Sequence, residues 1–301
     1  MLVDQYLWFL HLDRRMHLNV DLGPLHLHLY GLSVFYMWVT VSILAIGGIA
    51  VLVSRRRELI QKWTTWVLIA MVVGIPFWIG KGATAVLAAA LAVVAVIEFA
   101  RLVRLSRLDT CLLVTLAVLY PVAAWLRPSL LAFAPVLVLL CALPSVLSGD
   151  VENGSRRTAF TAFGSVWICW SLALLVVLSS DAFVLFFAVG ATDVAAWCGG
   201  KGLRRFGWAR KTFTPLSPNK TIGGIVGAVI GAFLVLTLLG TISIGLVVAV
   251  AIGGLFGDLL ESMLKRQAQV KDAGDWLPGF GGLLDRIDSL LLVLPLAYLL
   301  G

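Results

Sequence analysis

The chain has 301 residues, 60% of them hydrophobic and 13% charged, and carries a formal net charge of +7 at a mean hydropathy of +1.00. Soluble domains average about 45–50% apolar and about 25% charged, so this composition excludes an ordinary soluble enzyme and describes a polytopic membrane protein. The positive charge would suit nucleic acid, but its placement along the chain accounts for it otherwise, and no nucleic-acid partner is expected.

Residues 1–30 open with MLVDQYLWFLHLDRRMHLNV, in which charges and histidines interrupt the apolar run and no small-residue cleavage site follows. This reads as an amphipathic, interfacial segment ahead of the first span rather than a cleaved signal. All four histidines, His11, His17, His26 and His28, lie here, and they are read as interfacial side chains rather than metal ligands.

A bilayer core takes roughly 20 apolar residues per helix. On that measure spans are expected near residues 31–53, 63–79, 82–100, 110–126, 129–148, 161–179, 182–199, 221–239, 241–261 and 288–301. The expected fold is therefore all-α, a polytopic integral membrane protein of about ten transmembrane helices. Cytoplasmic loops concentrate Lys and Arg. Loops 54–62, 101–109, 149–160, 200–220 and 262–287 would share one side and hold 19 of the 23 basic residues, leaving Arg14, Arg15, Lys81 and Arg127 opposite. That side is expected to face the cytoplasm. Cys111, Cys141, Cys169 and Cys198 lie singly in apolar runs without CxxC spacing, which argues against disulfides or zinc. Glu98, near the basic end of its helix, is read as structural, pairing with Arg101 at i+3.

Two segments on the basic side differ from ordinary connectors. Residues 193–224 combine glycines, six Lys or Arg and the compact SPNKT at 217–221; glycine turns let backbone N–H groups approach phosphate, and lysine adds a point charge. Further on, GDLLESMLKRQ places Asp258, Ser262 and Lys265 at i, i+4 and i+7, on one helix face at the end of an apolar run. After Lys271, Asp272 and the turn-forming PGFGG, Asp285 and Asp288 open the last helix from one side, where carboxylates suit the helix dipole. Oxygen ligands beside cations are what magnesium and phosphate chemistry requires. From the residues alone, a membrane-embedded enzyme acting on phosphates and a transporter with a charged pathway both remain open.

In order and spacing, Ser262, Lys265-Arg266, Lys271-Asp272, Pro278, Gly281-Gly282 and Asp285-Arg286-x-Asp288 resemble the signature of the CDP-diacylglycerol synthase (phosphatidate cytidylyltransferase) family. Asp193-x-x-Ala196-Trp197, Gly200-Lys201 and Ser217-Pro218-x-Lys220-Thr221 resemble a second patch of the same family. The resemblance covers residues 193–301 and implies transfer of CMP from CTP to phosphatidate with Mg²⁺, giving CDP-diacylglycerol and pyrophosphate. It implies Asp258, Asp285 and Asp288 as metal ligands and Asp258, Lys265, Lys271, Asp285 and Asp288 as catalytic residues. Asp193, Ser217, Lys220, Ser262, Arg266, Asp272 and Arg286 are implied as substrate-binding residues. Residues 31–192 become the N-terminal transmembrane helices and 193–301 the catalytic transmembrane region. The expected setting is a bacterial inner membrane with CTP, phosphatidate and the bilayer as partners, and a homodimer is left open. Two positions depart from the family pattern: Phe280 stands where a histidine is usual, and Gly223 where a glutamate is usual. A phenyl ring neither donates nor accepts a strong hydrogen bond. A CTP-dependent kinase of a lipid alcohol, and a non-catalytic paralogue or transporter, are the alternatives.

Overall fold

The computed structural model describes residues 17–22, 25–54, 57–274 and 281–301. Within them the apolar runs become helices, because a chain in hydrocarbon must satisfy its backbone polar groups internally. The helices are α1 Gly31–Ser54, α2 Arg57–Ile79, α3 Lys81–Leu102, α4 Arg107–Leu126, α5 Pro128–Leu147 and α6 Gly154–Val177. They continue with α7 Ser179–Gly202, α8 Ile222–Leu238, α9 Ile244–Gln267 and α10 Leu284–Leu300. Short π-helical segments interrupt α6 at Ser165–Trp170 and α9 at Ala249–Gly253.

Helices stand at all ten expected places, but the count of ten spans is not upheld. Among the described residues only six helices are long and apolar enough to cross a membrane: Lys81–Leu102, Arg107–Leu126, Pro128–Leu147, Gly154–Val177, Asp181–Arg205 and Ile244–Gln267. The reasons are local. Helix α8 has 17 residues, about 25 Å at 1.5 Å per residue, because Gly240 at φ 67° ends it. Helix α10 also has 17 residues, and Asp285, Arg286 and Asp288 occupy its first turns.

The fold is all-α, as expected, with two short hairpins beside the helices. Strands β1 His17–Leu22 and β2 Leu25–Tyr30 form an antiparallel hairpin within the expected amphipathic segment; the expectation for residues 1–16, His11 included, lies outside the described residues. A second hairpin pairs β3 Thr212–Thr214 with β4 Ser217–Thr221. All four cysteines are free.

Small residues bring the helices that carry the polar chemistry into backbone contact, as is common where lipid offers no hydrophobic drive for association. Between α7 and α8, a Cβ at Gly199 would lie 2.6 Å from the Gly223 carbonyl oxygen, and a Cβ at Gly227 would collide with the Ala195 carbonyl. Between α9 and α10, a Cβ at Gly257 would lie 2.5 Å from the Asp288 carbonyl oxygen. A polar network locks the basic end of α4 and α6. Ser106 and Asp109 form a capping box, and Arg157 donates to Asp109 and Asp150 at 2.7 Å each and to Ser106 at 2.8 Å.

Candidate active site

The β3–β4 hairpin folds back over the end of α7. Its second strand feeds directly into α8, whose first turn is capped by Thr221 Oγ1 accepting from the Gly224 amide at 3.2 Å. A cavity of 720 Å³ opens between α7, the hairpin, α8 and α9. Asp193 from α7, Lys220 from β4 and Asp258 from α9 all line it. Lys220 and Asp258 form an ion pair across the cavity, although they belong to two motifs separated by a whole helix. Ser262, one turn beyond, donates to Asp258 Oδ1 at 3.2 Å, so the helix face expected from the spacing is realised.

A second cluster adjoins the first. Lys265 Nζ donates to Glu261 Oε2 at 2.5 Å and to Asp285 Oδ1 at 2.6 Å, tying α9 to α10. The other oxygen of Asp285 accepts the amides of Ala273 and Gly282, each at 2.9 Å. Burial alone would push the Asp285 pKa up; the Lys265 ammonium and these two N–H donors outweigh it and hold the carboxyl below its ordinary value. Asp288 is buried at 8% exposure and accepts from the Ser289 amide at 2.7 Å.

The remaining expected residues take other places. Ser217 sits in β4 opposite Thr214. Arg266, Lys271, Asp272 and Arg286 are exposed and do not line the cavity. Asp272 packs beside the turn at Gly281, where φ is 81°. Pro278 and Phe280 lie outside the described residues. Gly223 has a packing reason: a Cβ there would approach the Ala209 carbonyl oxygen to 3.1 Å and that of Gly199 to 3.3 Å. The glutamate usual in the family would not fit between these two backbones without moving one of them.

Several participants were not anticipated. Glu261 is fully buried, with Oε1 lacking a hydrogen-bond partner; its i+3 spacing from Asp258 and i−4 spacing from Lys265 would have pointed to it. Arg204 and Arg210 line the cavity, as does Lys201 of the second family patch, whose ammonium lies 3.9 Å from the Trp197 ring centroid. Glu98 is structural as expected, but with a different partner. At 1% exposure, its two carboxylate oxygens accept the amides of Leu283 at 3.0 Å and Leu284 at 2.7 Å. It thereby satisfies two N–H groups that the start of α10 would otherwise leave unpaired. Glycine is needed at two positions around it: a Cβ at Gly274 would lie 2.5 Å from Glu98 Oε1, and one at Gly282 would lie 2.9 Å from Oε2. A residue of the N-terminal half thus holds the helix start that presents Asp285 and Asp288.

The acidic groups around the site are all carboxylates, the oxygen-ligand type that suits a hard cation, although three of them, Asp258, Glu261 and Asp285, face lysine ammonium groups. Among the described residues, no group of three or more His, Cys, Asp or Glu side chains is gathered to hold a metal ion. Asp258 is paired with Lys220 and Asp285 with Lys265.

The family model for the cytidylyltransferase family matches residues 60–301, which includes every group described above. The chain belongs to the cytidylyltransferase family. Its relatives include a phosphatidate cytidylyltransferase of Helicobacter pylori, 40% identical over 140 residues, covering 43% of this chain and 44% of that protein. One from Bacillus subtilis is 37% identical over 128 residues, 38% of this chain and 46% of that protein. The uncharacterized protein YnbB of Escherichia coli is 34% identical over 180 residues, 53% of this chain and 59% of that protein. The chain spans about half the length of the curated relatives it matches. Its long apolar helices make this family member a membrane-embedded protein.

Proposed function

We propose that this protein is a phosphatidate cytidylyltransferase, transferring CMP from CTP to phosphatidate to give CDP-diacylglycerol and pyrophosphate. The observation that carries this reading is the cavity wall on which Lys220 and Asp258 meet, uniting both motifs of the resemblance at one place. A phosphatidate oxygen attacks the α-phosphorus of CTP, the bond from that phosphorus to the bridging oxygen of the β-phosphate breaks, and pyrophosphate departs. No protein nucleophile is needed, so the side chains work by positioning and by electrostatics. Lys220, with Lys201, Arg204 and Arg210 on the cavity lining, offers cations for the triphosphate and the lipid phosphate. Lys265, held between Glu261 and Asp285, brings a further positive charge, and Asp193, on the cavity lining, is proposed to orient the nucleotide or a second cation.

Asp258, Asp285 and Asp288 would hold Mg²⁺, and when bound it neutralises charge on the phosphates during transfer. Ser217, Ser262, Arg266, Lys271, Asp272 and Arg286, which do not line the cavity, are proposed as supporting substrate-binding groups. In this reading residues 193–301 carry the reacting groups and 31–192 the supporting helices. The site faces the cytoplasm of a bacterial cell, since the motifs sit in the Lys- and Arg-rich loops. Cytoplasmic basic loops would also favour anionic lipid such as the substrate.

The test uses purified protein in detergent with Mg²⁺, phosphatidate and CTP labelled at the α-phosphate. Label entering the lipid fraction, with pyrophosphate released, supports the proposal. Label released as CDP when a lipid alcohol is supplied identifies a kinase, and absence of turnover with any of several lipids identifies a non-catalytic relative.

A further inference from the structure

The two residues with positive φ that are not glycine, among those described, are Arg104 and Gln269, both at 57°. Each ends a helix in the same way. After α3, the Leu105 amide donates to the Ala100 carbonyl at 2.9 Å, with Arg104 in the left-handed position between; after α9, the Val270 amide donates to the Lys265 carbonyl at 3.0 Å, with Gln269 in that position. This is the C-terminal cap at which glycine is the usual residue, because a Cβ is strained there. Both helix ends therefore carry a long polar side chain where folding alone would favour glycine. Attraction to the helix dipoles does not explain them, since Arg101 in α3 and Lys265 and Arg266 in α9 already supply cations in the last turns.

Both strained residues line one pocket of 350 Å³, separate from the cavity of the candidate active site. Arg156, in the first turn of α6, lines it too and lies over the Phe160 ring at 5.5 Å. Gln267 adds a second carboxamide, while Phe160 and Leu264 contribute apolar floor. No carboxylate lines the pocket. Among the described residues neither Arg104 nor Arg156 has an ion-pair partner, in contrast to Arg157, which has two. On α9 the pocket uses Leu264, Gln267 and Ala268, a face turned away from that of Asp258, Ser262 and Lys265. All three contributing segments lie at or beside the basic loops, whose Lys and Arg residues would favour anionic phospholipid headgroups.

We propose that this pocket is a second, non-catalytic anion site that binds a phosphate group between Arg104 and Arg156, with the glutamine amides as further donors. Two guanidinium groups and amide donors over an apolar floor match a phosphate ester. The phosphate comes from the headgroup of an anionic phospholipid or from a soluble phosphate, and the chemistry of recognition is the same. The site does not depend on the reaction proposed above, and the left-handed backbone at Arg104 and Gln269 agrees with a role that keeps these side chains where glycine would relieve strain.

The experiment compares wild type with Arg104→Gly, Gln269→Gly and Arg104→Gly/Arg156→Ala, in neutral detergent, by thermophoretic binding and thermal melting. The probes are dioctanoyl-phosphatidylglycerol, dioctanoyl-phosphatidylcholine and inorganic phosphate. Lys220→Ala serves as the control for binding at the active-site cavity. The double variant is expected to bind the anionic lipid about 10-fold or more weakly, as loss of two charge-assisted contacts implies, while Lys220→Ala retains the arginine-dependent part. Inorganic phosphate competing with equal arginine dependence assigns the site to soluble phosphate; failure to compete, with phosphatidylcholine inert, assigns it to the lipid headgroup. Arg104→Gly and Gln269→Gly, free of the left-handed penalty, are each expected to raise the melting temperature by about 1–3 °C without ligand. The proposal is overturned if the double variant binds both anions as wild type does, or if the glycine variants melt lower and leave binding unchanged.

Discussion

Replacing Glu98 by alanine tests whether the N-terminal half holds the acidic end of α10 in place. The side chain touches no cavity residue that would meet substrate, yet its two oxygens satisfy the amides of Leu283 and Leu284 at 3.0 and 2.7 Å. Hydrogen bonds to a carboxylate contribute about 1.5–3 kcal/mol each, and a buried N–H left unpaired costs about 1–3 kcal/mol. Two such bonds share one partner, and water entering the cavity left behind would recover part of the loss, so about 3–5 kcal/mol is expected for Glu98→Ala. At about 2–4 °C per kcal/mol, that lowers the melting temperature by roughly 10 °C. Glu98→Gln keeps the volume and one acceptor oxygen, and should lose about half as much. The assay pairs thermal melting in detergent with α-labelled CTP turnover at saturating and limiting Mg²⁺. If Glu98 positions Asp285, Glu98→Gln will require more Mg²⁺ for half-maximal activity while remaining folded. A glutamine variant with unchanged melting temperature and unchanged Mg²⁺ dependence would refute the reasoning.

Lys220→Ala should reduce turnover by about 100-fold or more if the lysine stabilises charge on the transferred group. It should hardly alter the melting temperature, because the partly exposed pair with Asp258 adds at most about 1 kcal/mol; activity within twofold of wild type would remove Lys220 from the site. Gly227→Val drives a side chain into the Ala195 carbonyl and should destabilise by about 3 kcal/mol or more, seen as lost yield of monodisperse protein; a normally folded valine variant would show that α7 and α8 need not touch. The Asp285 carboxyl, with its pKa held below the ordinary value, adds stability that is fully present above about pH 4. That contribution is lost as pH falls through the lowered folded value. Melting temperatures of wild type and Asp285→Asn should therefore converge below pH 4, and a constant difference down to pH 2 would contradict the ion-pair assignment.

What could be read along the chain was whatever depends on near neighbours. The apolar runs located every helix, and the i, i+4 and i+7 spacing of Asp258, Ser262 and Lys265 put them on one face, because helix geometry is repeated over a few residues. The glycines of the 193–224 segment pointed to close backbone approach, but not to what approaches: Gly199 and Gly223, with Gly227 just beyond the segment, bring α7 and α8 into backbone contact. The expected span count failed because an apolar run does not state where its helix stops. Gly240 ends α8 early, and α10 starts with carboxylates buried against protein.

By itself the sequence determined that this is a helical membrane protein whose scarce charge gathers at one end, and which residue types form its two polar motifs. Tertiary structure alone decided the pairing of those motifs through Lys220 and Asp258, the seat of Lys265 between Glu261 and Asp285, and the Glu98 cap 185 residues from the amide it binds. The physical reason is that a buried charge or an unpaired N–H must find a partner wherever packing supplies one. Nothing local to Glu98 or to Leu283 encodes that each completes the other.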